Sequence, residues 1–228
     1  MIEQQMIEEQ MIKEQMIKED VRWAFCVLII ILAFFVTGCL KIPKSGYPDK
    51  HYFVLDVCRS EGIVKNPSEA ILKIQKFYIS PRYEGKSFVY RKGEVNYESD
   101  FYNEFFISAN DLITEQVCQW FAESGLFRNV MDVHGLLEPD YILEGKITDL
   151  YGDYREKKAP KAVLGIGFVL FHDVSAHSEM VFQKRYRQEV LLKETSPETL
   201  ARGWSDALWQ ILEKFEKDLL EINKVSGK

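Results

Sequence analysis

Two stretches in the C-terminal half of the chain alternate between apolar and polar side chains. In Asp140–Tyr154 (DYILEGKITDLYGDY), Tyr141, Leu143, Ile147 and Tyr151 fall on one side, while Glu144, Lys146 and Thr148 fall on the other. That period of two describes a half-exposed strand. In Ser178–Leu192, Met180, Phe182, Tyr186, Val190 and Leu192 are expected to face in, with Gln183, Arg185, Arg187 and Glu189 facing out. Between them, Ala162–Phe171 (AVLGIGFVLF) is apolar on both faces, which places it centrally in the sheet. A short charged turn, REKKAPK, and a second short loop connect the three, so an antiparallel meander is expected.

Shorter β-branched and aromatic runs predict further strands at His51–Cys58, at Ala70–Ile79 (ended by Ser80-Pro81) and at Phe88–Arg91, where the chain turns at Lys92-Gly93-Glu94 and returns through Val95–Tyr97. Ser108–Ser124 has helical spacing, with Leu112, Ile113, Val117, Trp120 and Phe121 on one face, Ser108 at the N-cap and Gly125 just past the end. A last helix is capped by Ser196, has Pro197 at its first position and carries a stripe of Leu200, Trp204, Leu208, Ile211, Phe215 and Leu219. The expected fold is α+β: a mostly antiparallel sheet with two principal helices packed on it.

A different pattern occupies the N-terminus. Ala24–Val36 is a run of 13 apolar residues, followed by Thr37, Gly38 and Cys39. A bilayer span needs about 20 residues, so this run matches the apolar core of a secretory signal. Val36-Thr37-Gly38-Cys39 resembles the bacterial lipobox, in which the cysteine is acylated and the chain is then cut between Gly38 and Cys39. An uncleaved anchor from Trp23 to Ile42 is the alternative. Leu40, in place of an Asp, points by the enterobacterial sorting rule to the outer membrane. Upstream, residues 1–20 repeat a five-residue unit (MIEQQ, MIEEQ, MIKEQ, MIKED) that suits neither helix nor strand and is acidic. The expected organisation is a repeat extension at 1–15 with a working start at Met16, a signal at 16–38, an anchor and Lys/Pro-rich linker at 39–50, and one domain at 51–228.

Cleavage would leave 26 basic and 29 acidic residues, a net charge of −3. That gives no electrostatic case for nucleic acid. Two cysteines, Cys58 and Cys118, would remain inside the domain; they are read either as buried free thiols or as one periplasmic disulfide. Catalytic signatures are missing. Gly165-Ile166-Gly167 lies within a strand and is expected to make room for a helix or an aromatic ring. His172 and His177 flank a turn with Asp173 and offer no firm metal geometry, and no nucleophile elbow or zinc motif occurs. No enzyme, cofactor or metal is therefore expected. Aromatic residues make up 13% of the chain; most belong in the core, the rest on a surface that binds a partner or lipid.

The order of motifs resembles the ABC-type transport auxiliary lipoproteins, which include the paraquat-inducible protein C group. The lipobox is followed by Tyr52-Phe53-Val54-Leu55, then Pro81-Arg82-Tyr83, Val89-Tyr90-Arg91, an amphipathic helix and Asp140-Tyr141-Ile142-Leu143-Glu144-Gly145-Lys146-Ile147, and the pattern closes with Ala207-Leu208 in the final helix. The chain departs from it at Phe105-Phe106-Ile107-Ser108, where the family often carries a Trp and a Pro. The resemblance implies a non-enzymatic lipoprotein facing the periplasm from the outer membrane and working with an ATPase, a permease and an MCE-domain protein in lipid traffic between membranes. Self-association is left open. An outer-membrane activator of a cell-wall synthase, which shares the anchor, linker and small α+β domain, is the alternative.

Overall fold

In the computed structural model, residues 49–59, 68–174 and 177–226 are described, together with scattered helical positions between 16 and 29. Within Pro48–Lys228, one compact unit, the first elements are short: β1 (His51–Phe53), β2 (Ser68–Ile74) and β3 (Tyr78–Ile79). After a 3-10 turn at Pro81–Tyr83 come β4 (Ser87–Arg91) and β5 (Tyr97–Phe105). Helix α1 (Ala109–Ser124) and β6 (Phe127–Met131) follow. The C-terminal part is long: β7 (Tyr141–Asp153), β8 (Lys161–Val174), β9 (His177–Leu191) and α2 (Pro197–Ser226).

β7, β8 and β9 form the antiparallel meander. The other side of β7 is occupied by three short strands running parallel to it. Leu72 to Ile74 pair with Tyr141 to Leu143, Tyr78 and Ile79 with Lys146 and Ile147, and Tyr90 and Arg91 with Gly152 and Asp153. Residues 72–91 therefore act as one interrupted strand laid along β7. β5 pairs antiparallel with β4, and β1 adds to β5 as an edge strand in parallel. The sheet is mixed, in an α+β domain with two principal helices.

Both helices meet the sequence expectation. Leu200, Trp204, Leu208, Ile211, Phe215 and Leu219 are all buried, and Phe215 lies flat on Phe168 of β8 with ring centroids 4.2 Å apart. The Ser196 hydroxyl accepts from the Thr199 N–H at 3.2 Å, a side-chain N-cap. At α1 the Ser108 hydroxyl instead donates to the Asp111 carboxylate, and only its carbonyl enters the helix. Gly125 takes the left-handed conformation (φ 66°) that ends α1 and aims the chain into β6.

The structure corrects several expectations. The strand expected over His51–Cys58 stops at Phe53, because side chains of the helices satisfy the backbone beyond it: Asp56 N–H donates to Ser205 Oγ at 3.2 Å and Val57 N–H to Gln116 Oε1 at 2.8 Å. The Ala70–Ile79 strand breaks at residues 75–77, where Phe77 turns into the core. Two bulges reverse the side-chain alternation. One, between Ile147 and Asp149, leaves Leu150 facing α2 and moves Tyr151 to the opposite face. The other, opposite Leu170/Phe171, turns Met180 out to solvent. Gly165 makes room for neither helix nor ring: a Cβ there would lie 2.5 Å from Asp149 Oδ2 and 2.8 Å from Thr148 Oγ1, the side chains of the bulge.

Gly145 is where β7 most needs a bare backbone, since an added Cβ would stand 2.5 Å from the buried Phe77 ring. Gly145→Ala is expected to destabilise the domain by about 1–3 kcal/mol through overpacking. Urea unfolding measures this; an unchanged midpoint would mean that Phe77 is free to move aside.

Candidate functional site

Gly38 and Cys39, the sequence-predicted cleavage and acylation residues, lie outside the described residues. The chain enters the domain at Asp49, Lys50 and β1. β1 is the last strand on its side of the sheet. Its Tyr52 stands in register with Glu104 of β5 and meets Phe106 edge-on at 6.3 Å. The Phe106 N–H donates to the Phe53 carbonyl at 2.8 Å, which fixes Phe106 beside β1.

β5 bulges strongly at its centre. Between the pairs Ser87–Glu104 and Val89–Ser99, β4 advances two residues and β5 five. Asp100 holds the extra loop: its carboxylate accepts from the backbone N–H of Tyr102 at 2.8 Å and of Asn103 at 3.0 Å, from the Asn103 amide at 2.8 Å and from the Tyr90 hydroxyl at 2.7 Å. Burial by itself would raise the pKa of Asp100, but these donors outweigh it and hold the carboxyl below its ordinary value. The loop pushes Phe101 and Tyr102 outward, packed edge to face at 5.2 Å. Lys50 ties the two halves together, bonding Glu104 at 2.6 Å with its ammonium 4.6 Å from the centre of the Phe101 ring. The result is an aromatic edge of Tyr52 (54% exposed), Phe101 (67%), Tyr102 (42%) and Phe106 (62%) around one ion pair.

A second aromatic group lies on the sheet face away from α2. Tyr83 stacks on Tyr151 at 6.0 Å, Tyr97 meets Tyr151 edge-on at 5.7 Å, and Arg91 lies 5.6 Å over Tyr97. Arg187 donates to the Tyr151 hydroxyl at 3.3 Å. Burial raises the Tyr83 phenol to about 12, so it stays neutral at physiological pH. The Tyr154 hydroxyl, stacked against Tyr90, is buried without a hydrogen-bond partner among the described residues.

The described surface also has clefts. One, of about 410 Å³, is lined by residues that include Leu191, Lys193, Arg202 and Asp206. The other, of about 220 Å³, is lined by residues that include Glu94, Asp153, Arg155 and Lys161. In the smaller cleft Arg155 already bonds Asp153 at 2.7 Å and Glu94 at 3.0 Å, and neither cleft lining includes a Cys, His or Ser.

Cys58 and Cys118 are both free thiols; burial pushes the Cys118 thiol up to about 11. His172 stacks on Tyr141 with ring centroids 4.8 Å apart. Among the described residues no group of three His, Cys, Asp or Glu side chains gathers to hold a metal ion, and no helix is long and apolar enough to cross a membrane.

Sequence reasoning missed the aromatic edge. Its members come from residues 52 and 101–106, and only the β1–β5 register joins them. The available signal was Tyr97–Phe106 (YESDFYNEFF), aromatic and polar at once without strict alternation.

No family model matches the sequence, and no curated protein matches it significantly. Solved structures do match. A DUF330 protein from Xanthomonas campestris superposes with a TM-score of 0.68 at 17% identity, over 78% of this chain and 98% of that one. An uncharacterised protein superposes at 0.60 and 13% identity, over 75% and 99%. At these identities the likeness is one of fold.

Proposed function

We propose that this chain is a lipid-anchored, non-enzymatic envelope protein, and that it serves as the periplasm-facing outer-membrane component of an MCE/ABC-type lipid transport system. The observation that carries the anchor is the spacing of Ala24–Val36, the small pair Thr37-Gly38 and Cys39, followed by the linker that leads into β1. The α+β domain, shared in fold with the DUF330 protein, supports the reading of a compact module held off a membrane. The ordered motifs from Tyr52 to Ile147 supply the resemblance to the transport auxiliary lipoproteins. In this reading the domain binds the MCE-domain protein that bridges the periplasm, and the energy for transport comes from the ATPase.

The test is affinity capture from envelope extracts with the full, acylated chain as bait. Recovery of an MCE-domain protein with its permease and ATPase is the expected result. Recovery of a cell-wall synthase in their place would move the assignment to the synthase-activator reading, and recovery of neither would remove the transport role.

A further inference from the structure

The reading of Cys39 as the acylated residue leaves open how the domain is held once its tether is in the membrane, and the aromatic edge bears on this. We propose that Tyr52, Phe101, Tyr102 and Phe106 form an interfacial foot that seats the domain on the phospholipid surface to which Cys39 is tethered. The inference rests on the acylation reading and goes beyond it.

The first argument is reach. Ten residues separate Cys39 from Lys50. Fully extended they span at most roughly 35 Å. The tether enters the domain at the strand that carries Tyr52, so the part of the domain held nearest the bilayer is this edge. A surface elsewhere on the molecule would have to swing round to touch lipid; this one is delivered to it.

The second argument is chemistry. Aromatic rings with polar tips favour the boundary between headgroups and acyl chains. Here two tyrosines and two phenylalanines protrude around a lysine whose ammonium already lies over the Phe101 ring at 4.6 Å. If Phe101 dips below the headgroups, the stem of Lys50 follows it and the ammonium reaches back to a phosphate. Glu104, bonded to Lys50, leaves the pair neutral overall, so the contact depends on apolar burial and not on a charged lipid.

The third argument is the shape of the strand. Asp100 spends its carboxylate on holding Phe101 and Tyr102 out of the sheet, where they cannot serve the core. β1 has only three residues, a poor template for pairing with the edge of a second copy. A wedge of rings on a short edge suits a soft lipid surface better than a strand-to-strand interface.

The experiment uses the full acylated chain carrying Cys58→Ser and Cys118→Ser, so that an environment-sensitive fluorophore can be placed on a new thiol by Phe101→Cys, Phe106→Cys or, as a control on β6 at the other end of the strand order, Arg128→Cys. Each labelled protein is reconstituted into vesicles of phosphatidylethanolamine with a minority of phosphatidylglycerol, with or without a quencher on the upper acyl chain. The expected result is that all three proteins float with the vesicles, while emission at positions 101 and 106 shifts to the blue and is quenched several-fold more than at 128. Flotation with positions 101 and 106 still in water would overturn the foot and leave the acylation standing. A protein that fails to float would overturn both. A blue shift that appears without vesicles, as protein concentration rises, would assign the edge to a second copy and so overturn the lipid contact.

Discussion

Glu216→Ala is expected to cost the domain about 3–5 kcal/mol, the usual penalty for removing one partner of a buried ion pair. Glu216 lies on α2, yet three donors from two other parts of the chain converge on it. Arg59, in the segment after β1, bonds it through Nε at 3.2 Å and again through Nη2, and Trp120 of α1 donates its indole N–H at 2.7 Å. The Arg59 and Glu216 side chains are only 4% and 5% exposed. Alanine would leave a guanidinium charge and an indole N–H in the interior without this carboxylate. In a domain of this size each kcal/mol moves the melting temperature by roughly 2–4 °C, so a fall of about 6–20 °C should appear in thermal unfolding followed by circular dichroism. The paired replacement Arg59→Met with Glu216→Leu removes both charges and should recover most of the loss. A single mutant that loses less than about 1 kcal/mol would show that water reaches this carboxylate and that the three segments are held by apolar packing alone.

That ion pair also shows where sequence reasoning stops. Arg59 and Glu216 are 157 positions apart, and no local spacing announces their meeting. The α2 stripe was legible because burial on one helix face repeats at a period the sequence displays, and the β7–β9 meander because long strands with short loops leave few alternatives. Within β7 the pattern held only as far as Thr148. One inserted residue then reverses every later side chain, so Tyr151 lies on the face opposite to the one that simple alternation predicts. The parallel pairing of β2, β3 and β4 with β7 is hidden for another reason: these strands are two to seven residues long, and their partner lies beyond β5, α1 and β6.

The motifs that carried the family resemblance have structural work in this fold. Asp140 accepts from the Ile71 N–H at 2.7 Å and ties β7 to β2. Gly145 lies against Phe77, Tyr83 stacks on Tyr151, and Tyr90 bonds the Asp100 that shapes the aromatic bulge. Residues with such roles build the domain. A partner surface is read better from residues the core does not need, and Phe101 and Phe106 belong to that class. They sit on either side of Asn103–Phe105, the part of β5 that pairs with β1.

Cys39→Ser should abolish acylation and signal cleavage together, because the diacylated thioether is what the lipoprotein peptidase recognises before it cuts. The variant would keep the apolar run Ala24–Val36, migrate more slowly on a gel and incorporate no labelled fatty acid. It would remain where the uncleaved run holds it, and would not reach the outer membrane. Cys58→Ser and Cys118→Ser should leave labelling intact. Those thiols lie in the folded domain, one exposed and one half-buried, and neither follows a small-residue pair at the end of an apolar run. Cys26 sits within the run itself, too early for cleavage, so its replacement should be silent in the mature protein. On the lipoprotein reading chemistry confines the modification to one site: the acyl-transferring enzyme works at the membrane face and needs a thiol that follows small residues at the end of an apolar run, a sequence context that only Cys39 has. The measurement is metabolic labelling with a fatty acid, followed by fractionation of inner and outer membranes. Labelling that survives Cys39→Ser would return residues 23–42 to the role of a plain membrane anchor, and the foot at Tyr52, Phe101, Tyr102 and Phe106 would lose the tether that places it.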